Sequence, residues 1–320
     1  MIKPVPLSVL SGALFIAALA TPAYAQANRA FVSGHGADAA GCGAPTSPCR
    51  SFQYVHDNII AAGGEIDVLD PAGYGAITIS KAISIVNDGV GTAGVQQAVS
   101  GQNAIIINAG TSDSVTLRGL NIDGLGVASV GILVEAAGSV TIANCVVRHF
   151  AGNAGIRAQP ASGALTLLIT DVTSSDNGGD GISIAPSGAA GVTGLIKRVT
   201  VANNLSEGID VYGASTTGTV YMTAVDVAAT GNRSTGFNIV ADPSPNTTVF
   251  LDNVTANGNA IGLGVYDAAI AWVRRSSLTN NEYGAIVSVF GPGVAHSFQD
   301  NAVHGNTFDF DGAFTSTTLQ

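Results

Sequence analysis

Gly181-Ile182-Ser183-Ile184 and, 27 residues further on, Gly208-Ile209-Asp210-Val211 are two copies of one pattern: a glycine, an apolar residue, a variable residue and a β-branched one. The pattern stands before them at Gly131-Ile132-Leu133-Val134 and Gly155-Ile156-Arg157-Ala158, and continues at Gly236-Phe237, Gly262-Leu263 and Gly284-Ala285. Successive glycines are 22 to 28 residues apart. A recurrence of that length marks a stacked repeat, in which each unit buries its apolar face only against its neighbours.

Two further apolar runs lie inside each unit. Val115-Thr116-Leu117, Val140-Thr141-Ile142, Leu165-Thr166-Leu167, Val220-Tyr221-Met222 and Val249-Phe250-Leu251 precede the next glycine by about 16 residues. Leu120-Asn121-Ile122, Val199-Thr200-Val201 and Val225-Asp226-Val227 follow them almost at once. Each run alternates with period two, as a β-strand does. Three short strands and three corners per unit leave no room for a crossover helix, so units pair strand on strand, in parallel, as a coiled solenoid. Asn177, Asn204, Asn232 and Asn280 each stand four residues before their glycine. Asparagine tolerates the left-handed backbone of a tight corner, and stacked amides can bond one another, so these four are expected to form a ladder.

Only 11% of the 320 residues are charged and 41 are glycine, which excludes coiled coils and charged disordered tails. Twelve basic against 22 acidic residues give a net charge of −10. That balance argues against binding nucleic acid through its phosphates and against anionic membranes.

Residues 1–25 carry Lys3, an apolar stretch from Leu7 to Ala20 and the small-residue run Ala23-Tyr24-Ala25. This is the layout of a secretory signal cleaved before Gln26, which predicts a secreted or periplasmic chain with no membrane insertion after cleavage. Cys42 and Cys49, in a Gly/Pro-rich stretch, suit a small disulfide in an oxidising compartment, while Cys145 reads as a buried thiol. Residues 26–64 hold this loop and a helix expected over 51–62, where Phe52, Val55, Ile59 and Ile60 share one face and Gly63-Gly64 ends it. That helix is expected to plug the open end of the first coil. Coils are readable over 65–306, about ten of them, making a rod of about 50 Å at the parallel-strand spacing of about 4.8 Å. Residues 307–320 are expected to cap the other end.

The chain resembles the secreted bacterial right-handed parallel β-helix repeat proteins of the pectate-lyase-like superfamily. The segment from Pro48-Cys49-Arg50-Ser51-Phe52-Gln53 through Gly63-Gly64-Glu65-Ile66-Asp67-Val68 and the repeats themselves carry the resemblance. It implies an all-β, right-handed, three-sided solenoid. Lyases, hydrolases and epimerases of this kind use clustered carboxylates, sometimes calcium, or a basic residue that removes a proton beside a uronate carboxyl. Their paired aspartates with Gly-His-Gly, their Asp-Pro-His-Asp and their Arg-x-x-Arg beside a carboxylate ladder are missing from this sequence.

Alternation in the glycine-led strand turns two rows outward. One reads Leu133, Arg157, Ser183, Asp210, Asn238, Gly264, Ile286 and the other Glu135, Gln159, Ala185, Tyr212, Val240, Tyr266, Ser288. Glu135, Arg157, Gln159, Asp210, Tyr212, Asn238 and Tyr266 are the candidate glycan-binding residues, since tyrosine offers a flat apolar surface and the others hydrogen bonds. Asp176, Asp180, Glu207 and Asp210 form the densest acidic neighbourhood, which could hold calcium only if loops supplied six to eight oxygens. No other cofactor or metal is expected. Arg148 and His149 are adjacent at a corner and can serve as anchor and proton carrier.

Three function classes stay open. The leading expectation is non-catalytic binding or scaffolding of extracellular polysaccharide. A lyase, hydrolase or uronate epimerase with an unfamiliar site is the alternative, and an adhesin-like structural rod the third. Convergence of the four carboxylates in a fold would separate the first two.

Overall fold

The computed structural model describes residues 26–241, 246–287 and 291–318; the expected signal at 1–25 and Ser288 of the second outward row lie outside them. Three parallel sheets wind the chain, and it visits them in the same order on every turn. Among the described residues the first holds twelve strands, beginning with Ala27–Val32 and Ile60–Val68. The second and third hold ten each, with Ala72–Gly73 opening the second and Ile77–Ile79 the third. The first and last turns have two-residue strands in the second sheet, Ala72–Gly73 and Ala302–Val303. About eight turns between them have three or more residues in every described strand, slightly fewer than the ten regular coils expected.

Ile132, Ile156, Ile182, Ile209, Phe237, Leu263 and Ala285 are consecutive register partners in the third sheet, and all are buried. The glycine before each is fixed by close approach. A Cβ on Gly208 would lie 2.6 Å from the Gly236 carbonyl oxygen and 2.8 Å from the Asn232 amide nitrogen.

That amide belongs to the ladder, which runs Asn177, Asn204, Asn232, Asn259, Asn281, Asn306. Each Nδ2 but that of Asn306 donates to the Oδ1 of the next at 2.9–3.1 Å. Asn280 is not a member, against the expectation. The last corners are one residue shorter, so Asn259 and Asn281 stand three residues before their glycines, and Asn280 becomes the exposed corner residue at φ 57°.

The helix covers Phe52–Asn58, shorter than the 51–62 expected. Ser51 caps it, accepting from the Tyr54 N–H, and Ile60 leaves the helix to pair with Ala27 in the first sheet. Strand pairing outweighs the helical spacing of Ile59 and Ile60 here. Phe52 and Val55 are buried, and the helix packs against the strands Ala27–Val32, Ile60–Val68 and Ile77–Ile79. Cys42 and Cys49 form a disulfide and Cys145 is a buried free thiol. At the far end Phe308–Asp311 and Thr315–Ser316 add one strand each to the third and first sheets. They extend the rod and leave Phe310, the next member of the isoleucine column, 46% exposed.

Candidate functional site

The outward row of the third sheet is the register ladder Leu133, Arg157, Ser183, Asp210, Asn238, Gly264, Ile286. It is no freely solvated face, because Leu133 and Ser183 are buried and Arg157, Asp210 and Asn238 are half-buried. Asn238 Nδ2 donates to Asp210 Oδ1 at 2.8 Å, and Ser183 Oγ donates to Oδ2 at 3.4 Å. Arg157 Nε donates to Gln159 Oε1 at 2.7 Å. Glu135 is half-buried on the strand Val130–Ala136.

Beside this ladder lies a second one, where the chain turns from the second sheet into the third. Asp180 opens the strand Asp180–Ile184 and is only 9% exposed. Glu207 lies in the corner one coil on, and its N–H donates to Asp180 Oδ1 at 3.3 Å. The two carboxyl groups face each other closely enough for each to shift the other's acidity. Ser206 and Ser234 hydroxyls both donate to Glu207, the latter at 2.9 Å.

This arrangement pushes the two carboxyls apart in acidity. Burial, then the bond to Glu207 and the charge of Asp210, raise Asp180 up to about 7. Burial also pulls Glu207 upward, but the bonds from Asp180, Ser206 and Ser234 outweigh it and hold Glu207 below its ordinary value. Glu207 is therefore the ionised member of the pair near neutral pH, and Asp180 the one that still exchanges a proton there. Asp210 is raised to about 6 by burial and by the Glu207 charge, against the bonds from Asn238 and Ser183 and the charge of Arg157.

Three of the four predicted carboxylates thus converge, and Asp176 does not. Its backbone is left-handed at φ 56°, and its side chain is exposed and accepts from Asn203 at 3.4 Å. It lines instead a hollow of about 490 Å³ together with Asp123 and His149. There Asp123 accepts from Arg148 Nε at 3.1 Å and lies 3.2 Å from His149 Nδ1, which joins the adjacent pair Arg148 and His149 to a residue the sequence did not single out. Among the described residues the one set of three His, Cys, Asp and Glu ligand atoms within 4.8 Å of one another is Asp38, Cys42 and Cys49. Two of those are the disulfide sulfurs.

Tyr212, Val240 and Tyr266 are register partners, so the tyrosines share one row two coils apart. Tyr212 is 37% exposed. The Tyr266 ring folds back over Gly264, where a Cβ would lie 2.4 Å from the ring, so it leaves its own row. Burial, then the Glu207 and Asp311 charges, raise its hydroxyl.

The model of the right-handed beta helix region matches residues 73–223 and 130–308. The chain belongs to that family. The β-helix assignment makes the solenoid right-handed and agrees with its three parallel sheets. Among solved structures this β-helix is similar to the pectate lyase Pel9A, at 14% identity and TM-score 0.50 over 91% of this chain and 80% of that one. It is similar to ORF18 of Geobacillus virus E2, at 13% identity and TM-score 0.48 over 80% and 54% of the two chains. It is also similar to the A-module of the Azotobacter vinelandii mannuronan C-5 epimerase AlgE4, at 14% identity and TM-score 0.44 over 81% and 91%. At these identities the likeness concerns the fold. No curated protein matches the chain. No helix among the described residues is long and apolar enough to cross a membrane.

Proposed function

We propose that this β-helix is an exported protein that binds extracellular polysaccharide along the outer row of its third sheet and transfers a proton to or from it through Asp180 and Glu207. The observation that carries the reading is the carboxyl pair itself: a buried Asp180, raised to about 7, accepts from the Glu207 N–H, while Glu207 is held below its ordinary value and Asp210 and Asn238 stand beside them. Two carboxyls set to different acidities are what general acid–base chemistry at neutral pH needs. Polysaccharide cleavage and uronate epimerisation both require such a transfer. The chemistry proposed involves no cation.

Export is supported by the Cys42–Cys49 disulfide and by the signal pattern in the first 25 residues. Polysaccharide as the ligand is supported by the likeness of fold to a pectate lyase and by the row of half-buried hydrogen-bonding side chains. The scaffold reading expected from the sequence lacks a use for a buried acid beside an ionised partner. Arg157 and Asp210 would orient the chain, and Tyr212 would supply an apolar contact.

The test is incubation of the secreted chain with a panel of neutral and uronate polysaccharides. Reducing ends, unsaturated uronates and a change in uronate configuration are the readouts. One product that Asp180→Asn lowers by about 10²-fold or more supports the reading. Binding without any product would return the protein to the scaffold class.

A further inference from the structure

The outer face of the first sheet carries a strip of rings unrelated to the acid pair. Phe250, Trp272 and His296 are consecutive register partners there, each in the outward position of its strand. The Trp272 and His296 rings stack at 4.1 Å between centroids and 19° between planes. Phe298 lies 6.0 Å from Trp272 and 6.4 Å from Phe250, and the Arg274 guanidinium lies 6.0 Å from the Phe298 ring. Rings that stack on register partners in neighbouring strands must stand across the rod axis.

The rings carry donors. The Trp272 indole N–H and the His296 ring nitrogens make no hydrogen bond among the described residues. Arg274 Nε is enclosed without a hydrogen-bond partner, with Asp252 Oδ1 3.6 Å away. Both Asp252 oxygens are already taken by Arg275, at 2.8 and 2.7 Å. Aromatic edges are themselves electropositive, so the strip suits a ligand rich in oxygen acceptors.

Size decides between a protein and a smaller occupant. Phe250, Trp272, His296 and Phe298 are all half-buried, so together they present only a small fraction of their surface. A stable protein partner covers about 800 Å² on each side. Three strands at about 4.8 Å spacing make a strip about 10 Å long, room for about two sugar residues.

We infer that this strip is a second carbohydrate site, taking about two residues of a uronate-bearing polysaccharide, with the carboxylate on Arg274 and hydroxyl oxygens on the N–H groups of Trp272 and His296. It rests on the polysaccharide reading above for the class of ligand. Trp272 is the chain's single tryptophan, so its emission reports this strip alone. The full secreted chain is titrated with oligogalacturonate and oligoalginate, with dextran as the neutral comparison. A saturable emission change with a uronate and none with dextran is expected, weakened about tenfold in Arg274→Ala, which removes a charge-assisted bond. Asp180→Asn should titrate like the wild type. An unchanged emission with both uronates, or an Arg274→Ala variant that titrates as the wild type does, overturns the inference.

Electrophoresis through gels holding the same glycans separates the two sites, with circular dichroism checking that each variant keeps its sheets. Retardation that survives Trp272→Phe and Arg274→Ala but is lost in Arg157→Ala with Asp210→Asn sinks the strip and leaves the third-sheet reading. The opposite pattern sinks that reading and supports the strip. Retardation of no variant by any glycan sinks both.

Discussion

The Glu207 backbone N–H donates to Asp180 Oδ1 at 3.3 Å, so one coil fixes the acid of the coil before it. Stacked coils make this possible, because residues far apart in sequence become neighbours one strand spacing apart.

Stability should carry the mark of these carboxyls. Folding raises the proton affinity of Asp180, up to about 7, and of Asp210, up to about 6. A carboxyl raised by folding stabilises fully below its unfolded value and loses that contribution as pH rises through its folded value. Asp171, held down to about 2 by the Arg198 and Thr170 hydrogen bonds, acts in the opposite sense and weakens the fold only in strong acid. The melting temperature of the wild type should therefore fall between about pH 4 and pH 7, and fall less in Asp180→Asn. Thermal melts of both proteins across that range check this; parallel curves would contradict it.

The asparagine ladder should dominate the effect of single corner substitutions. Asn204→Ala removes the acceptor of the Asn177 N–H and Nδ2 and the donor to Asn232, all buried. A loss of about 2–4 kcal/mol is expected, from two or more buried groups left without partners. Asn280→Gly, at an exposed corner with φ 57°, should change stability by less than about 0.5 kcal/mol. Urea unfolding of the two variants checks the contrast.

The isoleucine column was legible in the sequence because strand period and repeat length are local properties. Asn280 was misplaced because a corner can lose one residue without disturbing the strand pairing; the step of 22 residues to Gly284 was the visible sign. Asp176 and Asp180 look equivalent on paper. A left-handed backbone turns the former to the outer corner, while the latter opens a strand. The ring strip did leave a signal, since Phe250, Trp272 and His296 occupy the same outward place in three successive runs. Asp123 gave none, because only stacking brings it to His149, 26 residues away.

The thiols should differ sharply. Replacing Cys42 and Cys49 by serine opens a loop of seven residues' separation and should lower stability by about 2–3 kcal/mol on the loop-entropy account. Cys145 is buried, and burial pushes its thiol up to about 11. It should resist alkylation in the native chain and react fully in denaturant, as mass spectrometry of treated samples will read. Rapid native labelling would show that the coil around it opens.

The acid pair is tested most directly by a carboxyl-carbon NMR titration of protein labelled at aspartate. One aspartate should titrate near pH 7, and that transition should disappear in Asp180→Asn and shift in Glu207→Gln. If every aspartate of the folded wild type has titrated by about pH 5, the two carboxyls share no proton at neutral pH and the proposed acid–base function has no acid.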